Sequence, residues 1–234
     1  MPEETTSSSD AKEAFLAATY RALCAHGFAE VTMQDIADET ERSKASLHYH
    51  FDGKADLFEQ FLEHLYGEFE EMTADPPGDS PAERLIGMIR IVLSTDRSGD
   101  APGFTTAFLE IKAQSPYREA FRERLTWFDD RARDRVRALV VEGIEAGEFP
   151  EETDPDAVAS FVTTYMHGTW TRSVAAGSDV AAMREHLVEY VLGLLAEGAT
   201  VDRSVGLPSE DPEGRESATE GAEGTTDVAG GVSE

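Results

Sequence analysis

Apolar side chains along this chain recur at three- and four-residue spacing, the period of a helix with one buried face. Runs that alternate apolar and polar residues are almost absent, and no Asn-Gly or Asp-Gly turn joins two of them. The pattern predicts an all-α fold of about nine helices. Asp10-x-x-Glu13 opens the first, whose broad face carries Phe15, Leu16, Ala18, Thr19, Ala22 and Leu23. Gly27 stands where a left-handed residue ends a helix, with Phe28 placed to fold back onto Leu23.

Two short helices come next. Thr32 and Asp35 form an N-cap box, and Val31 with Ile36 has the spacing of a hydrophobic staple, so a helix of about two turns spans 33–39. Ser43 caps a second over 44–50. Asp52-Gly53-Lys54 opens a longer helix through Leu57, Phe58, Phe61, Leu62, Leu65 and Phe69. "ADPPGDS" breaks it, and Ser80-Pro81-Ala82-Glu83 restarts with proline at the first helical position. After "SGDAPG", further helices are expected over 104–114, from Ser115-Pro116 to Ala146, from Asp154-Pro155 to Ala176, and over 180–197.

Beyond Thr200 the periodicity stops. The segment is rich in Gly, Ser, Thr and Glu and has no aromatic residue, so it cannot offset the entropy of ordering; 201–234 reads as a disordered acidic tail. Residues 1–9 read as a flexible amino terminus. Their polar, acidic character shows no secretory signal, no apolar run approaches the roughly 18 residues of a membrane span, and the single cysteine, Cys24, excludes an intrachain disulfide or a cysteine-rich zinc site. The expectation is a cytoplasmic protein without a membrane partner.

Charge complicates the picture. There are 47 Asp plus Glu against 20 Lys plus Arg, a formal −27, and lysine occurs only at 12, 44, 54 and 112. Such an acidic, lysine-poor surface resembles proteins of salt-accumulating halophiles, and by default it argues against nucleic acid as a partner.

The short-helix pair argues the other way. Two helices joined by "TER" at 40–42 and braced on both sides make a helix-turn-helix candidate. Ile36, Ala37 and Leu47 supply its inward contacts, leaving Lys44, Ala45, Ser46, His48 and Tyr49 on the outer side of the second helix.

The stretch "GFAEVTMQDIADETERSKASLHYHFDGKADLF" closely resembles the amino-terminal DNA-binding region of the TetR family of transcriptional regulators. Gly27-Phe28, Thr32, Ile36-Ala37, Ser43, Leu47, Tyr49-His50-Phe51, Lys54 and Leu57-Phe58 carry the likeness, which covers roughly residues 12–60. Glu41 and His48 depart from it, standing where the family usually has glycine and tyrosine. The resemblance implies a three-helix DNA-binding domain, placed at 10–58, and a larger helical ligand-binding and dimerisation domain, placed at 59–200. The DNA-binding residues expected are Thr32, Arg42, Ser43, Lys44, Ala45, Ser46, His48, Tyr49 and Lys54.

His48 and His50 lie about 200° apart around a helix, so they cannot hold one ion, and no metal or cofactor is expected. The resemblance packs His50 and Phe51 on the first helix and turns His48 and Tyr49 toward DNA. Lys54 sits in a first helical turn, where the macrodipole disfavours a cation. A phosphate docked on the free N–H groups of Gly53 and Lys54 would turn that defect into a site; the alternative is pairing with Asp52 or Asp56.

Proteins that read two half-sites act as dimers. Val158, Phe161, Val162, Tyr165, Met166 and Thr169, with Met183, Leu187, Tyr190, Val191, Leu194 and Leu195, line the last two helices. They serve either a homodimer interface, which the resemblance makes a four-helix bundle, or an intrachain core. The resemblance also implies a pocket for a small-molecule inducer, with Met88, Phe104, Phe108, Trp127, Tyr165, His167 and Trp170 as candidate lining; ordinary core is the alternative for each. No Gly-rich phosphate loop, His-Glu-x-x-His or Gly-x-Ser-x-Gly occurs, so an enzyme is not expected. The leading expectation is a ligand-responsive repressor that binds double-stranded operator DNA. The rival is a helical protein–protein module whose helix-turn-helix does not bind DNA.

Overall fold

The computed structural model describes residues 8–94 and 103–207, and within them every regular element is a helix. These are α1 (Ser8–Glu30), α2 (Met33–Asp38), α3 (Lys44–His50), α4 (Lys54–Ala74), α5 (Pro81–Val92), α6 (Gly103–Gln114), α7 (Glu119–Glu145), α8 (Pro155–Ala176) and α9 (Val180–Leu192). Residues 1–7 and 208–234, which take in most of the expected flexible amino terminus and acidic tail, lie outside the described residues, as does the side chain of Phe104.

Two apolar clusters form the interior. One joins α1–α3 to the first half of α4 through Phe15, Leu23, Phe28, Ile36, Leu47, Phe51, Phe58 and Phe61, and takes in Ile111 of α6 and Phe121 of α7. The other joins α5, α7, α8 and α9 through Leu85, Ile89, Val136, Val140, Val162, Leu187 and Val191. Helix α4 serves both, since Phe69 and Met72 near its end pack against the second cluster. The expected boundary at 58 therefore falls within a continuous helix.

Local chemistry explains most element bounds. Thr32 caps α2 with a complete capping box, and Ser43 caps α3 by accepting the Ser46 N–H. Ser80, Asp154 and Asp179 cap α5, α8 and α9 in the same manner. Three expectations need correction. Asp10 lies within the first turn of α1 instead of preceding it. Helix α7 starts at Glu119, because 115–117 form a turn in which the Tyr117 N–H reaches the Gln114 carbonyl. Helix α9 stops at Leu192, where the chain turns off and the Ala196 N–H bonds the Glu148 carbonyl.

Residues 201–207 also depart from the tail reading. They fold over α5, where Arg90, only 5% exposed, donates to the carbonyls of Arg203 (2.7 Å) and Val205 (2.5 Å) and to Glu185 (3.2 Å). Gly87 lets the chain at Pro77 lie close against α5 beside this segment, because a Cβ there would collide with the Pro77 carbonyl oxygen.

Candidate nucleic-acid interface and ligand cavity

Helix α3 presents Lys44, Ala45, His48 and Tyr49 to solvent, with Ser46 half-buried and Leu47 fully buried beneath. The i,i+4 pairs 44/48 and 45/49 place the four exposed residues on adjoining stripes of one surface. Tyr49 is 82% exposed, a value a ring of that size holds only when nothing in its own chain covers it. His50 turns the other way, its ring centroid 5.9 Å from Phe15, and Phe51 meets Phe15 edge-on at 6.3 Å. The two histidines thus serve opposite sides of the element.

The turn before α3 accommodates Glu41 through its neighbour. Thr40 Oγ1 donates to the Ala37 carbonyl at 3.1 Å and accepts the Arg42 N–H at 2.9 Å, so a side chain organises a turn that the family usually builds with glycine. Thr40 escaped the sequence reading; a hydroxyl residue at the start of a tight turn was the available signal.

The other expected contacts differ in what they have left to offer. The Arg42 guanidinium and Lys44 ammonium have no side-chain partner among the described residues. Ser43 Oγ accepts one N–H and keeps its own proton to donate. Thr32 is more committed: its N–H and hydroxyl both bond Asp35 Oδ2 at 2.8 Å, and its oxygen also accepts two helix N–H groups. That hydroxyl holds the Asp35 carboxyl below its ordinary value. The nearby acids are also engaged, Asp38 with Gln34 at 2.7 Å and Glu39 with Arg21 at 3.2 Å.

Lys54 points inward. Its Nζ donates to the Phe28 carbonyl at 2.7 Å and lies 4.9 Å from the centroid of the Phe28 ring, so the alternative pairing with Asp52 or Asp56 is not formed; burial lowers its pKa. Asp56 instead accepts the Asp52 N–H at 2.9 Å, and no side chain caps α4. The other polar group of Phe28, its N–H, donates to Glu110 Oε2 of α6 at 2.6 Å. Gly27 makes this approach feasible, with a φ of 72° and space for a Cβ only 3.1 Å from the Glu110 carboxylate. One residue at the end of α1 is therefore clamped by α4 on one side and α6 on the other.

A cavity of about 330 Å³ lies among α4, α6, α7 and α8. Of the expected lining residues, Phe108, His167 and Trp170 reach it. Met88 is buried in the second cluster, Trp127 is half exposed with Arg131 over its ring, and Tyr165 stands beside Phe161 on the outer side of α8. Tyr66, Phe69, Lys112, Phe128 and Met166 complete much of the wall. They were missed because helical spacing marks a buried face without saying whether a neighbour or a void lies opposite.

On the outer face of α8 and α9, Phe161 is 43% exposed and its ring lies 4.2 Å from that of Tyr190. Val158, Val162, Met166, Thr169, Leu187 and Val191 are buried within the chain. The remaining residues of the expected interface, Met183, Leu194 and Leu195, are half-buried.

A helix-turn-helix joined to a helical domain with an internal cavity defines a DNA-binding regulator with a sensor domain. Residues 15–61 match the family model for bacterial regulatory proteins of the tetR family, and residues 81–196 that for the carboxy-terminal part of BetI-type transcriptional repressors. The crystal structure of a TetR transcription regulator from Haloarcula marismortui is 34% identical, with a TM-score of 0.74 over 80% of this chain and 100% of that one. The HTH-type transcriptional repressor KstR2 of Mycobacterium tuberculosis is 25% identical over 181 residues, covering 74% of this chain and 86% of the relative. A regulator from Saccharomonospora viridis, crystallised in complex with choline, shares the fold at 22% identity and a TM-score of 0.70 over 83% of this chain and 100% of that one. The chain belongs to the TetR family of transcriptional regulators. Among the described residues no helix is long and apolar enough to cross a membrane.

Proposed function

We propose that the protein is a homodimeric, ligand-responsive repressor of the cytoplasm that reads operator DNA with α3. The carrying observation is the uncovered surface of Lys44, Ala45, His48 and Tyr49 on a helix whose start is capped and whose inner side is buried. Lys44 suits guanine O6 or N7, Ser46 either base, and Tyr49 a thymine methyl or a phosphate. Arg42 and Ser43 hold free donors for flanking phosphates. Lys54 contributes through its backbone, where the uncapped N–H groups of Gly53 and Lys54 face a phosphate, while its ammonium braces Phe28. Thr32 acts by holding α2 in register.

The acidity sets the conditions. Few phosphate contacts release few counterions, which gives a shallow salt dependence and weak nonspecific binding. Such a regulator suits a high-salt cell, where screening already removes most of the electrostatic attraction. No role in this reading is catalytic.

The test is binding to the DNA upstream of the protein's own gene in molar potassium chloride. Wild type should protect a defined site, and Lys44→Ala and Tyr49→Ala should each lose about 1–3 kcal/mol of discrimination with unchanged circular dichroism. A folded protein that protects no site at any salt would favour the protein–protein module instead.

The clamp on Phe28 supplies the coupling. Helix α6 lines the cavity through Thr105, Phe108, Leu109 and Lys112, and the same helix holds the end of α1 through Glu110. A ligand that shifts α6 must move or break that bond. Glu110→Ala is expected to leave ligand affinity within twofold and to reduce ligand-driven release from DNA, at a stability cost of about 1–3 kcal/mol for the orphaned N–H. Release measured by fluorescence anisotropy that matches wild type would place the coupling on another contact.

A further inference from the structure

Taking the cavity as the ligand site, its polar groups narrow the chemistry of what binds there. Most of the wall is apolar or aromatic, including Leu65, Phe69, Phe108, Phe128, Met166 and Trp170. Two polar groups in it lack a partner. The Tyr66 hydroxyl is buried with no hydrogen bond, in a residue only 3% exposed whose ring stacks on Phe128 at 4.5 Å. The Lys112 ammonium of α6 makes no ion pair or hydrogen bond among the described residues, and its Nζ sits 4.8 Å from the Phe108 ring centroid.

An unmet buried hydroxyl forfeits the hydrogen bond it had in water, and a desolvated ammonium forfeits far more. Burial lowers the Lys112 pKa from its ordinary value near 10.5, which measures the discomfort of the charge in that place. Of the titratable groups nearby, Asp129 offsets this only in part, from a distance. Glu68, on the wall, is 62% exposed at its side chain and lies 3.4 Å from His64. Asp129 of α7 is not part of the wall and stands 3.4 Å from His167 Nδ1. His167 itself has a lowered pKa, through burial first and then the charge of Lys112, so at neutral pH it adds a polar ring and little charge.

Aromatic walls of this kind also suit a quaternary ammonium. Here the Phe108 face already carries the protein's own cation, and a second would be repelled. The geometry points to a different occupant: a mainly apolar small molecule bearing one carboxylate, which pairs with Lys112 while the Tyr66 hydroxyl donates to an acceptor on the same ligand. Such a ligand satisfies both orphaned groups and brings a countercharge into direct contact with Lys112, which none of the described residues supplies, on the helix that carries Glu110.

The test uses the full chain in potassium chloride at pH 7.5, with straight-chain carboxylates of six to ten carbons as probes, each matched to its primary amide and its alkyltrimethylammonium analogue. Titration calorimetry should show the carboxylates binding at least tenfold more tightly than the amides, with the ammonium probes weakest. Lys112→Met keeps the apolar stem and removes the charge, so it should erase the carboxylate preference while raising the melting temperature of the apoprotein. A purely structural lysine would give neither result. Tyr66→Phe should weaken carboxylate binding severalfold and leave the preference over amide in place. Amides or ammonium probes binding as tightly as carboxylates, with heats abolished by Phe108→Ala, would overturn the ligand class and keep the cavity as the site. No binding by any probe class would overturn both.

Discussion

Phe58→Ala is expected to cost about 3–5 kcal/mol, a large part of the roughly 5–15 kcal/mol that separates a folded domain from its unfolded chain. Phe58 is fully buried in α4 and sits where three segments meet: its ring is 4.9 Å from Phe28 at the end of α1 and 6.2 Å from Phe61 one turn on. Phe28 in turn reaches Phe121 of α7 at 6.2 Å. Removing the ring leaves a void against groups that the backbone clamps hold in place, so the site cannot collapse to fill it. Lys54 also loses the second of its two aromatic neighbours, 5.8 Å away. Urea unfolding followed by circular dichroism should show the drop in midpoint, and operator binding should be lost with it. A midpoint shift no larger than that of the exposed Glu123→Ala would show that Phe58 is not the keystone of this junction.

Phe161→Arg is expected to yield folded monomers and to lower operator affinity by about 10²–10⁴-fold, the advantage that linking two half-site contacts confers. The side chain is 43% exposed in the isolated chain, so arginine there meets water and the monomer has no reason to unfold. In a dimer built on α8 and α9 the same position would bury an unpaired charge beside Tyr165 and Tyr190. Light scattering reports the mass and anisotropy the affinity. A variant that stays dimeric at micromolar concentration would move the interface off this face.

The contrast between these two positions is instructive, because both are phenylalanines at helical spacing. Periodicity placed each on an apolar face and went no further. The interior of α4 and the outer side of α8 differ only in what lies opposite, which depends on helices distant in sequence. The same ambiguity governed the cavity: Met88, Trp127 and Tyr165 have the residue types of a ligand wall, yet the void opens beside Phe108, His167 and Trp170.

The helical class, the bounds of α3, the caps on α2, α3, α5 and α8, and the family likeness of the amino-terminal region were legible in the order of the residues. Those features rest on interactions within a few residues: a hydroxyl reaching the N–H three positions on, a proline at a first turn, a leucine facing inward between polar neighbours. Helix packing set the inward turn of Lys54 onto the Phe28 carbonyl, the Glu110 bond to the Phe28 N–H, and the docking of 201–207 by Arg90. Each of these joins groups between 26 and 113 residues apart in the chain. A charged side chain reads from sequence as a surface residue because water is its default partner. Whether a backbone carbonyl or carboxylate replaces that water is settled by which helices pack together.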